Sequence, residues 1–379
     1  RVFDPFLFLT KLVLFSVPKK RYFCSMRISV LLFLIFLLVQ NDATAQSSWS
    51  YGGEYKTGVL AAHRSIIAHV PKEKVHALKF SLSKNIEIPA FAKKGFDGRC
   101  GYSAIISTSG NRELVGSFYG LSAFGELPIL AGKKWALYNH SSMGIGYVEK
   151  VYDEINNPLN NVVSTHFNAL IELGLESRFK LKSGNFFLKC DVTHLSNGSL
   201  KLPNFGLNYF FVGAGYVHNF APPAVKIHQV FTSFSNLEIQ AIYGAKSTFF
   251  SDQKKHGIYA LNLAFQKIKN ERLGVEFSLD GVYKLPTRFQ YPELDINNKE
   301  LFQLGLFAGH VMSFNRVSTI LGMGVYLIDP LQPQDALYHR VGLRYAVTNK
   351  LKASLVLKAN WGKADYFEWG VFYSLNNSK

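Results

Sequence analysis

The chain has 379 residues, of which 15% are aromatic and only 18% charged, with 30 Gly and a mean hydropathy near zero. That balance excludes a helical membrane protein, which would be far more apolar, and suits a sheet with one wet and one apolar face. A formal net charge of +16 points to partners rich in phosphate or carboxylate.

In chain order, residues 1–25 open on Arg1 and contain the stretch Val2 to Val17, interrupted by Asp4, Pro5 and Lys11. They fit no export signal and read as upstream translation. From Met26 the pattern changes to Arg27, an apolar run from Ile28 to Val39, and Ala43-Thr44-Ala45. A positive start, a short apolar stretch and a small-x-small site predict a signal peptide over 26–45, cleaved after Ala45. The run is well short of the roughly 20 residues a bilayer-spanning helix needs. Removing 1–45 takes away six basic and two acidic residues and leaves +12. In an exported protein that charge suits lipopolysaccharide and surface glycans before nucleic acid. Cys100 and Cys190 remain, too few for a disulfide framework and without metal-ligand spacing to His.

Past residue 46 no apolar run is long enough for a membrane helix, while stretches of about ten residues alternate apolar with polar and stop at turn residues. Phe167, Ala169, Ile171, Leu173 and Leu175 alternate with Asn168, Glu172 and Glu176. Val275, Phe277, Leu279 and Tyr283 alternate with Glu276, Ser278, Asp280 and Lys284, and Leu351, Ala353, Leu355, Leu357 and Trp361 repeat the pattern. Glu368, Gly370, Tyr373 and Leu375 resemble the last-strand insertion signal of bacterial outer-membrane proteins. Pro222-Pro223 cannot sit in a paired central strand and divides a region 46–222 from a region 223–379. About seven or eight strand candidates fall on each side. The predicted fold is an all-β antiparallel transmembrane barrel of roughly 12 to 16 strands, with two eight-stranded barrels in tandem as the competing architecture.

The residues with chemistry to offer lie in Cys190-Asp191-Val192-Thr193-His194-Leu195-Ser196-Asn197-Gly198. On a strand His194 and Ser196 point to one side, and that side continues the apolar stripe Phe186, Leu188, Cys190, Val192. A base and a hydroxyl thus end a lipid-facing stripe, where the ester of a membrane lipid would lie. Serine becomes a nucleophile when an imidazole takes its proton, and the tetrahedral intermediate needs donors for its oxyanion. The following turn supplies Asn197, Gly198, Lys201 and Asn204 as candidates for holding oxyanion or substrate, with Lys201 placed to engage lipid phosphates.

His194-x-Ser196-Asn197-Gly198, then Lys201-x-Pro203-Asn204-x-Gly206 and an aromatic-rich strand, resembles the active-site hairpin of the lipid A 3-O-deacylase family. The match spans about residues 184–220. A diffuse extension back toward residue 135, including Asn157-Pro158 through His166-x-Asn168, looks like the Bacteroidetes-type acyloxyacyl hydrolases. The resemblance implies an outer-membrane barrel hydrolase acting on lipid A, without metal or cofactor. By motif, Ser196 is the nucleophile and His194 the general base, with Asn197 in the oxyanion hole or its support. Asn208 stands where the family has an acidic residue. An amide can orient His194 but cannot stabilise imidazolium by charge. Asp191 and Glu172 fall on the opposite face by strand parity, and Glu368 is too remote in sequence to place. Two readings follow: a serine esterase on lipid A, or a non-catalytic barrel, porin or scaffold, that keeps a relic hairpin. The sequence leaves the oligomeric state and the role of residues 223–379 open.

Overall fold

The computed structural model describes residues 49–86, 96–219, 233–248, 254–268, 273–314, 316–331, 336–360 and 363–376. The proposed upstream segment, signal peptide, Pro222-Pro223 and Trp361 lie outside the described residues. Alternating sequence becomes strand throughout: β1 (Trp49–Leu60), β2 (Val75–Ile86), β3 (Gly98–Thr108), β4 (Ser117–Ala131), β5 (Trp135–Val148), β6 (Phe167–Lys180), β7 (Gly184–Ser196) and β8 (Leu207–Asn219). Then come β9 (Phe234–Ser247), β10 (Lys255–Ile268), β11 (Leu273–Lys284), β12 (Phe302–Phe314), β13 (Val317–Ile328), β14 (Leu337–Ala346), β15 (Leu351–Asn360) and β16 (Lys363–Ser374). No helix among the described residues is long and apolar enough to cross a membrane.

Every pairing is antiparallel, and the strands close into two rings, β1 to β8 and β9 to β16. Of the two architectures the alternation allowed, the tandem pair forms and the single large ring does not. The reason is pairing: β8 returns to β1, with Tyr55 opposite Ala214, and β16 returns to β9, with Tyr373 opposite Ile239. Closure leaves no open edge in either ring.

Strand period two puts polar side chains inside and apolar ones outside. On β10 Tyr259, Leu261, Leu263 and Phe265 are exposed while Asn262 and Gln266 are buried. This inside-out arrangement is that of barrels that cross membranes by strands. The first lumen is filled by compensated charge: Lys56, Lys79 and Lys189 all pair with Glu172, Lys189 also with Glu54, and Lys56 lies 2.8 Å from Asp191. The second lumen pairs Arg340 with Asp280 and Glu368, Arg344 with Glu276, and Lys246 and Lys284 with Asp365.

Two features position the site. In the first barrel the connections 61–74, 109–116, 149–166 and 197–206 share one end, and the short connections 132–134 and 181–183 share the other. Loop residues Ile67, Val70, Val115, Val162 and Val163 pack on strand-end residues such as Leu60, Leu195 and Leu207, so an apolar cap seals the long-loop end. The two barrels also share an apolar seam, in which Met143 of β5 and Ile171 of β6 pack with Leu357 of β15 and Phe367 of β16.

Candidate active site

β7 and β8 pair in a register that sets His194 opposite Asn208. Lys189, Asp191 and Thr193 turn into the lumen while Phe186, Leu188 and Val192 face out, and His194, Ser196 and Asn208 share the outward parity. His194 Nε2 lies 2.8 Å from Ser196 Oγ and His194 Nδ1 lies 2.5 Å from Asn208 Oδ1. The hydroxyl, imidazole and amide are therefore linked in that order. Asp191 and Glu172 sit in the lumen, paired with lysines, and Glu368 lies in the second lumen on Arg340.

Ser196 has outward parity yet is only 1% exposed. The 197–206 loop and the rim of the second barrel cover it, leaving a cavity of about 160 Å³ whose walls include His63, Arg64, His194, Ser196, Asn204 and Ala364. The loop needs unusual backbone to do this. Gly198 has φ 62° and Gly206 φ 78°, and a Cβ on Gly206 would come within 2.9 Å of His194 Cε1. Ser199, with φ 60°, is the one non-glycine residue of positive φ among the described residues. Its conformation is held from the second barrel: the Ser247 N–H donates to Ser199 O at 2.9 Å and Ser199 Oγ donates to Ala364 O at 3.3 Å. Such strain persists where surroundings over-determine it.

The sequence-predicted turn residues divide by role. Asn204 Oδ1 accepts the Asn197 N–H at 3.1 Å, Asn204 Nδ2 is buried with no hydrogen-bond partner, and the residue is among those that line the cavity. The Asn197 side chain is spent on the loop, its Nδ2 donating to Lys201 O and Ser164 Oγ. Lys201 contributes that carbonyl, and its side chain is not among the cavity walls. His63, Arg64 and Ala364 were not picked out from sequence. His63 Nδ1 lies 3.0 Å from Asn208 Nδ2, and His63 Nε2 lies 3.1 Å from Phe205 O. Arg64 lies over the Phe205 ring, 5.5 Å from its centroid. A His-Arg pair just past a strand end was the available signal, but its relevance depends on β1 closing against β8.

Glu126, His140 and Glu176 in the first lumen bring ligand-type atoms within 4.8 Å of one another. Arg99 and Arg178 already lie between those carboxylates, with Arg178 Nη2 2.6 Å from Glu126 and 2.5 Å from Glu176, so the two guanidinium groups compensate the cluster's charge.

The fold and site define a two-barrel protein with a Ser-His-Asn relay at the rim of one barrel, roofed by the other. Residues 97–217 match the family model described as lipid A 3-O-deacylase (PagL), and residues 235–377 match the acyloxyacyl hydrolase C-terminal domain. The chain belongs to this PagL-like family. The second half, unexplained by the hairpin, is thus a recognised domain of its own. No curated protein matches the chain. Among solved structures, a triple mutant of the Rhodopseudomonas blastica porin aligns over 87% of this chain and 100% of its own at 7% identity, with a TM-score of 0.18. Another mutant of that porin aligns over 86% and 100% at 8% identity and the same TM-score of 0.18. Scores this low bear on neither fold nor function.

Proposed function

We propose that the chain is an outer-membrane serine esterase that removes an ester-linked acyl chain from lipid A. The observation behind this reading is the 2.8 Å contact between Ser196 Oγ and His194 Nε2, on the outward face of a barrel strand and open to a cavity. Long loops mark the cell-surface end of such barrels, and the relay lies at the long-loop end of the first barrel.

In this reading Ser196 Oγ attacks the ester carbonyl as His194 Nε2 takes its proton. The carbonyl oxygen becomes an oxyanion, facing the free Nδ2 of Asn204 and the backbone N–H near Gly198. Asn197 and Gly206 keep the loop and imidazole in place. Collapse expels the sugar hydroxyl, which receives the proton from His194, and leaves an acyl-serine. Water, deprotonated by His194, then releases the fatty acid and restores the hydroxyl. Arg64 at the cavity and Lys201 on the loop supply positive charge for lipid phosphates. Asn208 orients His194 without neutralising the imidazolium.

The amide at 208 also favours a second reading, a barrel that keeps a relic site. Mass spectrometry of lipid A from host membranes containing the wild-type protein or Ser196→Ala, at equal barrel content, separates the two. Loss of an acyl chain with wild type alone is expected, and the mass lost identifies the ester. Unchanged lipid A in both samples favours the relic.

A further inference from the structure

An amide makes a two-faced partner for an imidazole. Its oxygen accepts from an N–H and its nitrogen donates to a lone pair, so Asn208 by itself fits either tautomer of His194. Only one tautomer works, because Nε2 must carry the lone pair that takes the Ser196 proton. Something must choose the amide's orientation, and it lies on the far side of Asn208.

Phe205 O, a backbone carbonyl, can only accept, so the His63 Nε2 that faces it at 3.1 Å carries a hydrogen. Neutral His63 then has its lone pair on Nδ1, which lies 3.0 Å from Asn208 Nδ2. The amide must present its NH₂ to His63 and its oxygen to His194. At 2.5 Å that oxygen accepts a hydrogen bond from His194 Nδ1–H, leaving Nε2 free to accept from Ser196. Every donor and acceptor from Phe205 to Ser196 is set in sequence. We infer that His63 is a positioning residue, which acts through Asn208 to hold His194 in the tautomer that can deprotonate Ser196. This inference rests on the esterase reading for its kinetic consequence and on geometry alone for the tautomer. His63 also lies outside the 97–217 stretch that matches the deacylase model.

Because His63 is exposed, substitutions there leave the fold intact. His63→Lys offers only donors to Asn208 and should invert the amide, moving the His194 hydrogen to Nε2. His63→Glu offers an acceptor and should keep the working orientation. The expected result is a kcat lower by about 10²–10⁴-fold for His63→Lys, with KM little changed, against near-normal turnover for His63→Glu. On an Asn208→Asp background the order should reverse, since a carboxylate accepts on both sides and then favours a donor at 63. A simple packing role would give the same ranking on both backgrounds. Nitrogen-15 NMR of histidine-labelled protein reads the His194 tautomer without turnover. The expected outcome is hydrogen on Nδ1 in the wild type and on Nε2 in His63→Lys. Equal effects of the two substitutions on both backgrounds, with an unmoved tautomer, would overturn the inference while Ser196→Ala still abolishes activity. A tautomer that moves while Ser196→Ala has no effect on lipid A would instead uphold the lock and sink the esterase.

Discussion

The ring of Phe367 occupies the space where a side chain on Gly198 would begin: a Cβ there would lie 2.4 Å from Phe367 Cδ2. One residue belongs to the turn beside Ser196, the proposed nucleophile, and the other to the second barrel. Gly198→Ala is expected to cost about 1–2 kcal/mol for the left-handed backbone alone, with a further clash against the ring. Turnover should fall with it. Combining Gly198→Ala with Phe367→Ala should restore part of that turnover, and a double-mutant cycle of kcat should show coupling between the barrels. Strict additivity would mean that the contact does not shape the site.

Asn204 lines the cavity, and its Nδ2 is buried without a partner. If it waits for the oxyanion, Asn204→Ala lowers kcat by about 10²–10³ with little change in KM. Asn197→Ala should behave differently, because its side chain ties Lys201 O and Ser164 Oγ into the loop. Loss of loop protection in hydrogen exchange should accompany its loss of activity. Matching kinetic and exchange profiles for the two variants would defeat the division of labour.

Asn208→Asp restores a charge that can stabilise the imidazolium of His194. Turnover should rise, but by far less than the ~10⁴ by which the reverse change slows a serine protease, since much of that loss reflects a wrong tautomer. His194 already has the right one. Steady-state kinetics on purified protein in lipid vesicles decides this, and a fall in kcat would contradict it.

Ala364 brings the second barrel into the wall of the cavity. Ala364→Trp should fill much of the roughly 160 Å³ and raise KM for long-chain esters, while a short acetyl ester is still cleaved. The backbone carbonyl that receives Ser199 Oγ is untouched by the change. An equal loss on both esters would mean that acyl length is read elsewhere.

Glu172 compensates Lys56, Lys79 and Lys189 inside the first barrel. Glu172→Gln leaves buried ammonium groups short of a counter-charge, and about 3–5 kcal/mol of stability should go with it. Urea titration from lipid vesicles measures the loss. Turnover per folded molecule should not change, because the lumen network faces away from Ser196.

Much of this was legible in the sequence where the physics is local. Alternation on β6, β11 and β15 marked the strands and their inner faces, since side-chain direction repeats every two residues whatever the strand pairs with. The same parity placed His194 and Ser196 outside with Asp191 and Glu172 inside. The hairpin motif supplied Asn208 because β7 and β8 are adjacent in the chain. Ring closure was not legible, because nothing in the alternation of β8 says whether its partner is β1 or β9. His63 and Ala364 stayed hidden for that reason: one reaches the site through the β1–β8 pairing and the other through the contact between rings. Lys201 shows the converse: the motif drew attention to its charge, while it is its carbonyl that holds Asn197 in the loop, and the residue is not among the cavity walls.

The proton order of the site begins at the carbonyl oxygen of Phe205, an atom that every substitution at position 205 leaves in place. Side-chain change there can loosen the ring beneath Arg64 but cannot turn an acceptor into a donor. The handedness of the relay is therefore written in the path of the main chain. Evolution could exchange a carboxylate for an amide at 208 and still inherit the direction in which the proton moves.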